Sequence, residues 1–148
     1  MNLEDVIKEQ LKKIQPVSPD DTTENHPDFV YHATSLNRVY DIIDFGFIQP
    51  HKPWHGTDQE AWPDGSTKSR IYFSENASVV WCFSPEEGGC SVILRVEKRS
   101  FKFKKESGTG DIYYEGKIPI KNVEILVEDG SGNRKWIELQ VFGELAGS

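Results

Sequence analysis

Cysteine is nearly absent from this chain. Cys82 and Cys90 are the only two in 148 residues, separated by seven others, with neither a CxxC pair nor a small secreted frame around them. The expectation is free thiols in a reducing compartment and no disulfide scaffold. Positive charge is also short: 17 Lys and Arg face 24 Asp and Glu, a formal charge of -7. That balance opposes the counterion-release attraction on which general nucleic-acid binding rests. The basic residues that do cluster, Lys98, Arg99, Lys102, Lys104 and Lys105, are expected on the solvated face of a strand pair. No apolar run approaches the roughly 20 residues of a membrane span, and the N-terminus lacks a signal-peptide pattern. The expected location is therefore cytoplasmic, with no membrane partner. Several site motifs are missing too. There is no Gly-x-Ser-x-Gly and no Walker sequence, and Gly108-Thr109-Gly110 lacks the third glycine of a dinucleotide fingerprint, so it reads as a hairpin turn. Pro53, between His51 and His55, prevents the helix that would align both rings, so no metal site is expected.

What the chain does have is aromatic bulk. Four Trp, five Tyr and eight Phe accompany a hydrophobic fraction of 36%, enough large buried area to exclude global disorder. The length fits one domain with an appendage. Leu3, Val6, Ile7, Leu11 and Ile14 recur at helical spacing, with acids early and lysines late, so residues 1–27 are expected to be an amphipathic helix and a proline-broken linker. Residues 28–148 then form the main domain. Its first strand is expected at Phe29 to Ala33, and its helix runs from a Ser35 cap to Gly46. Further strands are expected at Ile71 to Phe73, Ser91 to Val96 (a central one), Ser100 to Lys104, Asp111 to Tyr114, Val123 to Val127 and Lys135 to Val141. A turn at Asp129 to Asn133 precedes the last, and a helical turn is expected near Asn76 to Phe83. The Pro-, Gly- and Trp-rich stretch from Gln49 to Ser69 is too long for an ordinary connection and suits a lid. The fold class is α+β with a mostly antiparallel C-terminal half.

Three motifs carry chemistry in a fixed order: Tyr31-His32-Ala33-Thr34, Arg70-Ile71-Tyr72-Phe73-Ser74 and Tyr113-Tyr114-Glu115-Gly116. Together they fit cleavage of NAD between nicotinamide and its ribose. The leaving group is already cationic, so the bond needs no strong acid; it needs a carboxylate at the ribose as positive charge develops there. Glu115 is the candidate. Tyr72 and Phe83 supply aromatic faces for the nicotinamide ring, and His32 with Thr34 supplies hydrogen bonds to the other ribose. Taken singly, each residue also reads as an ordinary strand side chain; their joint order raises the reading.

With Asp44-Phe45-Gly46-Phe47 and the segment ending at Phe83, these motifs make residues Phe29 to Val127 resemble the ADP-ribosyltransferase catalytic domain. The similar branch is the poly(ADP-ribose)-polymerase-like and diphtheria-toxin-like one, with its His-Tyr-Glu triad. The resemblance implies two packed, mostly antiparallel sheets with NAD in the cleft between them. It implies that His32, Tyr72 and Glu115 are catalytic, that the Ala33 backbone clasps the carboxamide, and that Tyr72 and Phe83 stack on nicotinamide. It also implies that NAD is a substrate, that no metal is needed, and that the acceptor is a macromolecule. The acidic balance makes that acceptor a protein rather than a nucleic acid. Trp54, His55 and Trp62 would form the lid over the NAD site. The rival expectations are a non-catalytic module binding NAD, ADP-ribose or a protein tail in the same cleft, and a NAD glycohydrolase with water as acceptor. A related RNA 2'-phosphotransferase ranks lower, because only Arg38, Arg70 and Arg95 are on offer to grip phosphates.

Overall fold

Alternation along three strands generates the core. In the computed structural model, which describes residues 14–17, 25–52, 61–62, 65–77, 91–106 and 111–146, Val92, Leu94 and Val96 share a buried cluster with Val30, Val123, Ile125 and Val127. Ile93, Tyr31 and Leu126 point the other way, into a smaller cluster with Val17 and Ala77. The strand carrying these Val-Ile-Leu-Arg-Val residues is therefore apolar on both faces, as a central strand must be. Its arginine, Arg95, lies over the rings of Phe29 (3.9 Å) and Trp136 (4.5 Å) and pairs with Glu124 at 2.8 Å.

In chain order the strands are β1 (Gln15–Pro16), β2 (Phe29–Thr34), β3 (Phe47–Ile48), β4 (Ile71–Phe73), β5 (Val92–Glu97), β6 (Lys104–Lys105), β7 (Ile112–Tyr114), β8 (Ile118–Pro119), β9 (Val123–Glu128) and β10 (Arg134–Glu138). The helices are α1 (Leu36–Phe45) and α2 (Leu139–Ala146). A five-stranded sheet runs β1-β9-β5-β2 with β10 also on β9; a three-stranded sheet runs β4-β7-β6; β3 and β8 form a pair. Every pairing between these strands is antiparallel. The α+β, antiparallel expectation holds in these terms. The two larger sheets are stitched at one point, where Tyr31 and Ser74 exchange backbone hydrogen bonds of 2.7 and 2.8 Å.

Helix α1 starts and stops where its sequence says. The Ser35 side chain accepts from the Arg38 amide, and Gly46, at φ 86°, returns its amide to the Ile42 carbonyl. An L side chain at that φ is strained. Gly46→Ala, with nothing within 4 Å of its new Cβ, is therefore expected to cost about 1 kcal/mol through backbone strain alone. Urea unfolding checks this, and an unchanged midpoint would refute it. The Asp129 to Asn133 turn also forms as expected, with Asp129 accepting from the Ser131 and Asn133 amides.

Three expectations are corrected. The strand at Ser100 to Lys104 is instead a 3-10 turn at Lys98–Ser100, an irregular stretch, and only the short β6. The last strand ends at Glu138, and α2 takes over, because Leu139 and Phe142 sit one helical turn apart and both bury against the main core. The linker expected after Ile14 is not free at its start. Ile14 packs on the core, Gln15–Pro16 pairs with β9, and Val17 is buried. The N-terminal helix, apart from Ile14, lies outside the described residues, as does the Asn76 to Phe83 turn beyond Ala77. The expected hairpin turn at Gly108 to Gly110 is likewise outside, though β6 and β7 pair on either side of it. No helix among the described residues is long and apolar enough to cross a membrane.

Candidate functional site

Strand periodicity places six chemistry-bearing side chains together. In β4, Tyr72 alternates with the core residues Ile71 and Phe73, so it points to the opposite face, as does Arg70 two residues before it. Across the sheet Tyr72 is paired with Tyr113 and Tyr113 with Lys104. Glu115 and Glu106, each two residues further along their chains, continue the same face. That face of the β4-β7-β6 sheet thus carries Arg70 and Tyr72, Tyr113 and Glu115, Lys104 and Glu106. Tyr72 and Glu115 are diagonal neighbours there, roughly 7 to 8 Å apart by sheet geometry.

Two ion pairs organise this face. Arg70 and Glu106 are almost fully buried, and Arg70 Nη1 donates to Glu106 Oε2 at 3.1 Å. The same nitrogen donates to the Tyr72 hydroxyl at 3.1 Å, and that hydroxyl donates to Glu106. Desolvation and then the bond to Glu106 push the Tyr72 phenol well above its ordinary value, so it stays neutral. The Arg70 guanidinium lies 3.8 Å from the Tyr113 ring centre and 5.6 Å from that of Trp62, while Trp62 meets Tyr72 edge-on at 5.0 Å. Trp62, from the expected lid stretch, is thus brought against Arg70 and Tyr72. Its indole donates to the Lys68 carbonyl at 2.6 Å. In the second pair Lys104 Nζ donates to Glu115 Oε1 at 2.7 Å. That bond lowers the Glu115 carboxyl below its usual range and raises Lys104.

His32 reaches β4 from the other side. Among the described residues β2 and β4 pair only at the Tyr31–Ser74 bridge, and in the notch past it the His32 ring has Nδ1 2.7 Å from the Tyr72 carbonyl oxygen. A carbonyl only accepts, so Nδ1 carries the proton and Nε2 of the neutral ring is an acceptor. Because the Tyr31 backbone faces β4, the two-residue period turns the amide and carbonyl of Ala33 into the same notch. Thr34, ending β2, is buried. Desolvation is the main cause that lowers the His32 pKa; the Tyr72 bond opposes it, and His51 and Arg38 lower it further. His51, whose backbone pairs with Arg70, is lowered by partial desolvation and then by Arg38. Arg38, in the first turn of α1, has its Nε buried with no hydrogen-bond partner among the described residues. Of these three side chains Arg38 carries the charge, and its positive field is what both neutral imidazoles feel.

A depressed histidine has a sign that can be tested. With its folded pKa below the ordinary 6.5, the unfolded chain takes up the proton first on acidification. His32 therefore adds stability that is complete above about pH 6.5 and is lost as pH falls below it. The expected NMR result is a neutral, Nδ1-protonated ring at pH 6.5, and a half-charged ring at that pH would refute it.

Of the expected site residues, the structure joins His32 to Tyr72 by a hydrogen bond, turns Ala33 toward the same notch, and puts Glu115 on the Tyr72 face. Phe83, Trp54 and His55 lie outside the described residues. Sequence reasoning missed the Arg70–Glu106 pair and the hold of Lys104 on Glu115. The available signal was polar alternation at 70 and 72, 104 and 106, 113 and 115. Among the described residues no group of three His, Cys, Asp or Glu side chains could hold a metal ion. No protein-family model, no curated protein and no solved structure matches the chain.

Proposed function

We propose that the chain is an ADP-ribosyltransferase that cleaves NAD at the nicotinamide–ribose bond and passes ADP-ribose to a protein acceptor. The observation that carries this reading is the notch between β2 and β4. There a neutral His32 is locked to the Tyr72 carbonyl with Nε2 as acceptor, beside the inward-facing Ala33 backbone. An acceptor nitrogen suits ribose hydroxyls, and a paired amide and carbonyl suit a carboxamide, which needs one of each. Tyr72, kept neutral, offers a ring rather than a charge to the cationic nicotinamide. The field of Arg38, whose Nε has no hydrogen-bond partner among the described residues, suits the diphosphate.

Glu115 remains ionised because Lys104 holds its pKa down. Its charge faces the ribose as positive charge builds there, and that stabilisation is greater in the transition state than in the bound ground state. The C1'–N bond breaks with its electron pair leaving on nicotinamide, and the acceptor nucleophile bonds to C1' and releases its proton to solvent.

Labelled NAD tests the reading, incubated with the native chain and with Glu115→Gln, each with and without a cell lysate. Nicotinamide release that needs Glu115, with label on a lysate protein, is the expected result. Release without transfer would make the chain a glycohydrolase. NAD binding without release would leave a binding module on the same cleft, and neither binding nor release would overturn the reading altogether.

A further inference from the structure

A groove of about 360 Å³ lies along the β6 edge, next to the candidate site but not part of it. Its floor is Val30, Phe101, Phe103 and Ile112, and its rim holds Lys98, Lys102, Lys104 and Lys105 with the single carboxylate Glu75. With Lys104 paired to Glu115, Lys98, Lys102 and Lys105 against Glu75 make a cationic trough in a chain whose total charge is -7. Such a local reversal of sign attracts anions and steers them to one place. A carboxylate already sits in it: Glu75 lies 3.5 Å from Lys98 Nζ and 3.9 Å from Lys105 Nζ. The groove's own pairing is thus lysine with carboxylate. Lys104 belongs to both places, lining the groove and holding Glu115 at 2.7 Å. Among the described residues β6 pairs with β7 alone, and the outer edge of such a strand can take a segment laid along it.

We propose that this groove docks an acidic segment of the protein acceptor, its carboxylates held by Lys98, Lys102 and Lys105 and its apolar side chains on Phe101 and Phe103. The small net positive charge of the trough fits a short run of Asp and Glu, whereas a polynucleotide would meet the repulsion of an acidic molecule beyond the groove. Docking there brings the acceptor to the sheet edge that Glu115 shares through Lys104. The acceptor role rests on the transferase reading; the docking itself does not.

The experiment is fluorescence anisotropy on the full chain without NAD. The probes are a labelled octapeptide of glutamate and leucine, the same peptide with lysine for glutamate, and a single-stranded oligothymidine. Binding of the acidic peptide alone is expected, weakening with salt. Lys102→Glu and Lys105→Glu together should lower its affinity by about tenfold or more, and Lys121→Glu, on an exposed 3-10 turn, should leave it unchanged. The circular dichroism spectrum of each variant separates lost docking from lost fold. No binding of the acidic peptide, equal loss with Lys121→Glu, or tighter binding of the oligothymidine would each overturn the proposal. If the peptide binds and NAD is never cleaved, the transferase reading fails and the groove stands; if NAD is cleaved and no peptide binds, the groove fails alone.

Discussion

Replacing Glu106 with Ala is expected to lower folding stability by about 3 kcal/mol, and by no more than about 5. Arg70 is 1% exposed, and its Nη1 donates to Glu106 and to the Tyr72 hydroxyl. Removing the carboxylate takes the Glu106 charge away from a buried guanidinium and the acceptor away from the Tyr72 phenol. Water cannot reach the charge to replace what is lost, which is why breaking a buried pair costs more than the pair is worth in total. The rings of Tyr113 and Trp62 against the guanidinium hold back about 1 to 2 kcal/mol of this loss, which puts the expectation at the lower end. At a urea dependence of about 1 to 3 kcal/mol per molar, the unfolding midpoint falls by about 1 to 3 M. The double change Arg70→Met with Glu106→Leu removes both charges and should recover most of the loss. A single variant within about 1 kcal/mol of the native chain would show that this pair is not an effective buried ion pair.

That pair also marks what one sequence conceals. Its members are 36 positions apart, and Glu106 reads locally as one more charge before a Gly-rich turn. Only the pairing of β4, β7 and β6 puts it against Arg70 and Tyr72, and strand register is not a local property. Local chemistry was legible elsewhere. Ser35 and Gly46 bound α1 because a hydroxyl cap and a left-handed glycine act within one turn. The apolar run of β5 declared a central strand. Leu139 to Phe142 was ambiguous because a short apolar run fits either period, and burial of Leu139 and Phe142 together decided for helix. At the site, His32, Tyr72 and Glu115 were legible as residue types in order. The hold on each was not: a carbonyl from the neighbouring strand fixes His32, a buried ion pair fixes Tyr72, and a lysine on an edge strand fixes Glu115.

Glu115→Gln is expected to lower nicotinamide release by about two to three orders of magnitude while leaving NAD binding nearly unchanged. The amide keeps the shape and loses the charge that stabilises the ribose only as the bond stretches, and removing one preorganised electrostatic partner of a transition state costs about that much. The state of the carboxyl then predicts a pH profile. Lys104, through its hydrogen bond and then its charge, keeps Glu115 ionised below the usual carboxylate range. A rate that needs the anion therefore survives acidification into that range and falls only as pH drops through the depressed value. Lys104→Met frees the carboxyl to return toward its ordinary pKa, so the acid limb of kcat/KM moves to higher pH while the rate near pH 7 persists. Lys104 is exposed on an edge strand, so the variant is expected to fold as the native chain does. Salt should produce a weaker version of the same shift, because it screens the exposed lysine. Equal acid limbs in the native chain and Lys104→Met, or release undiminished in Glu115→Gln, would remove Glu115 from the reacting centre and leave the His32 notch as a binding site alone.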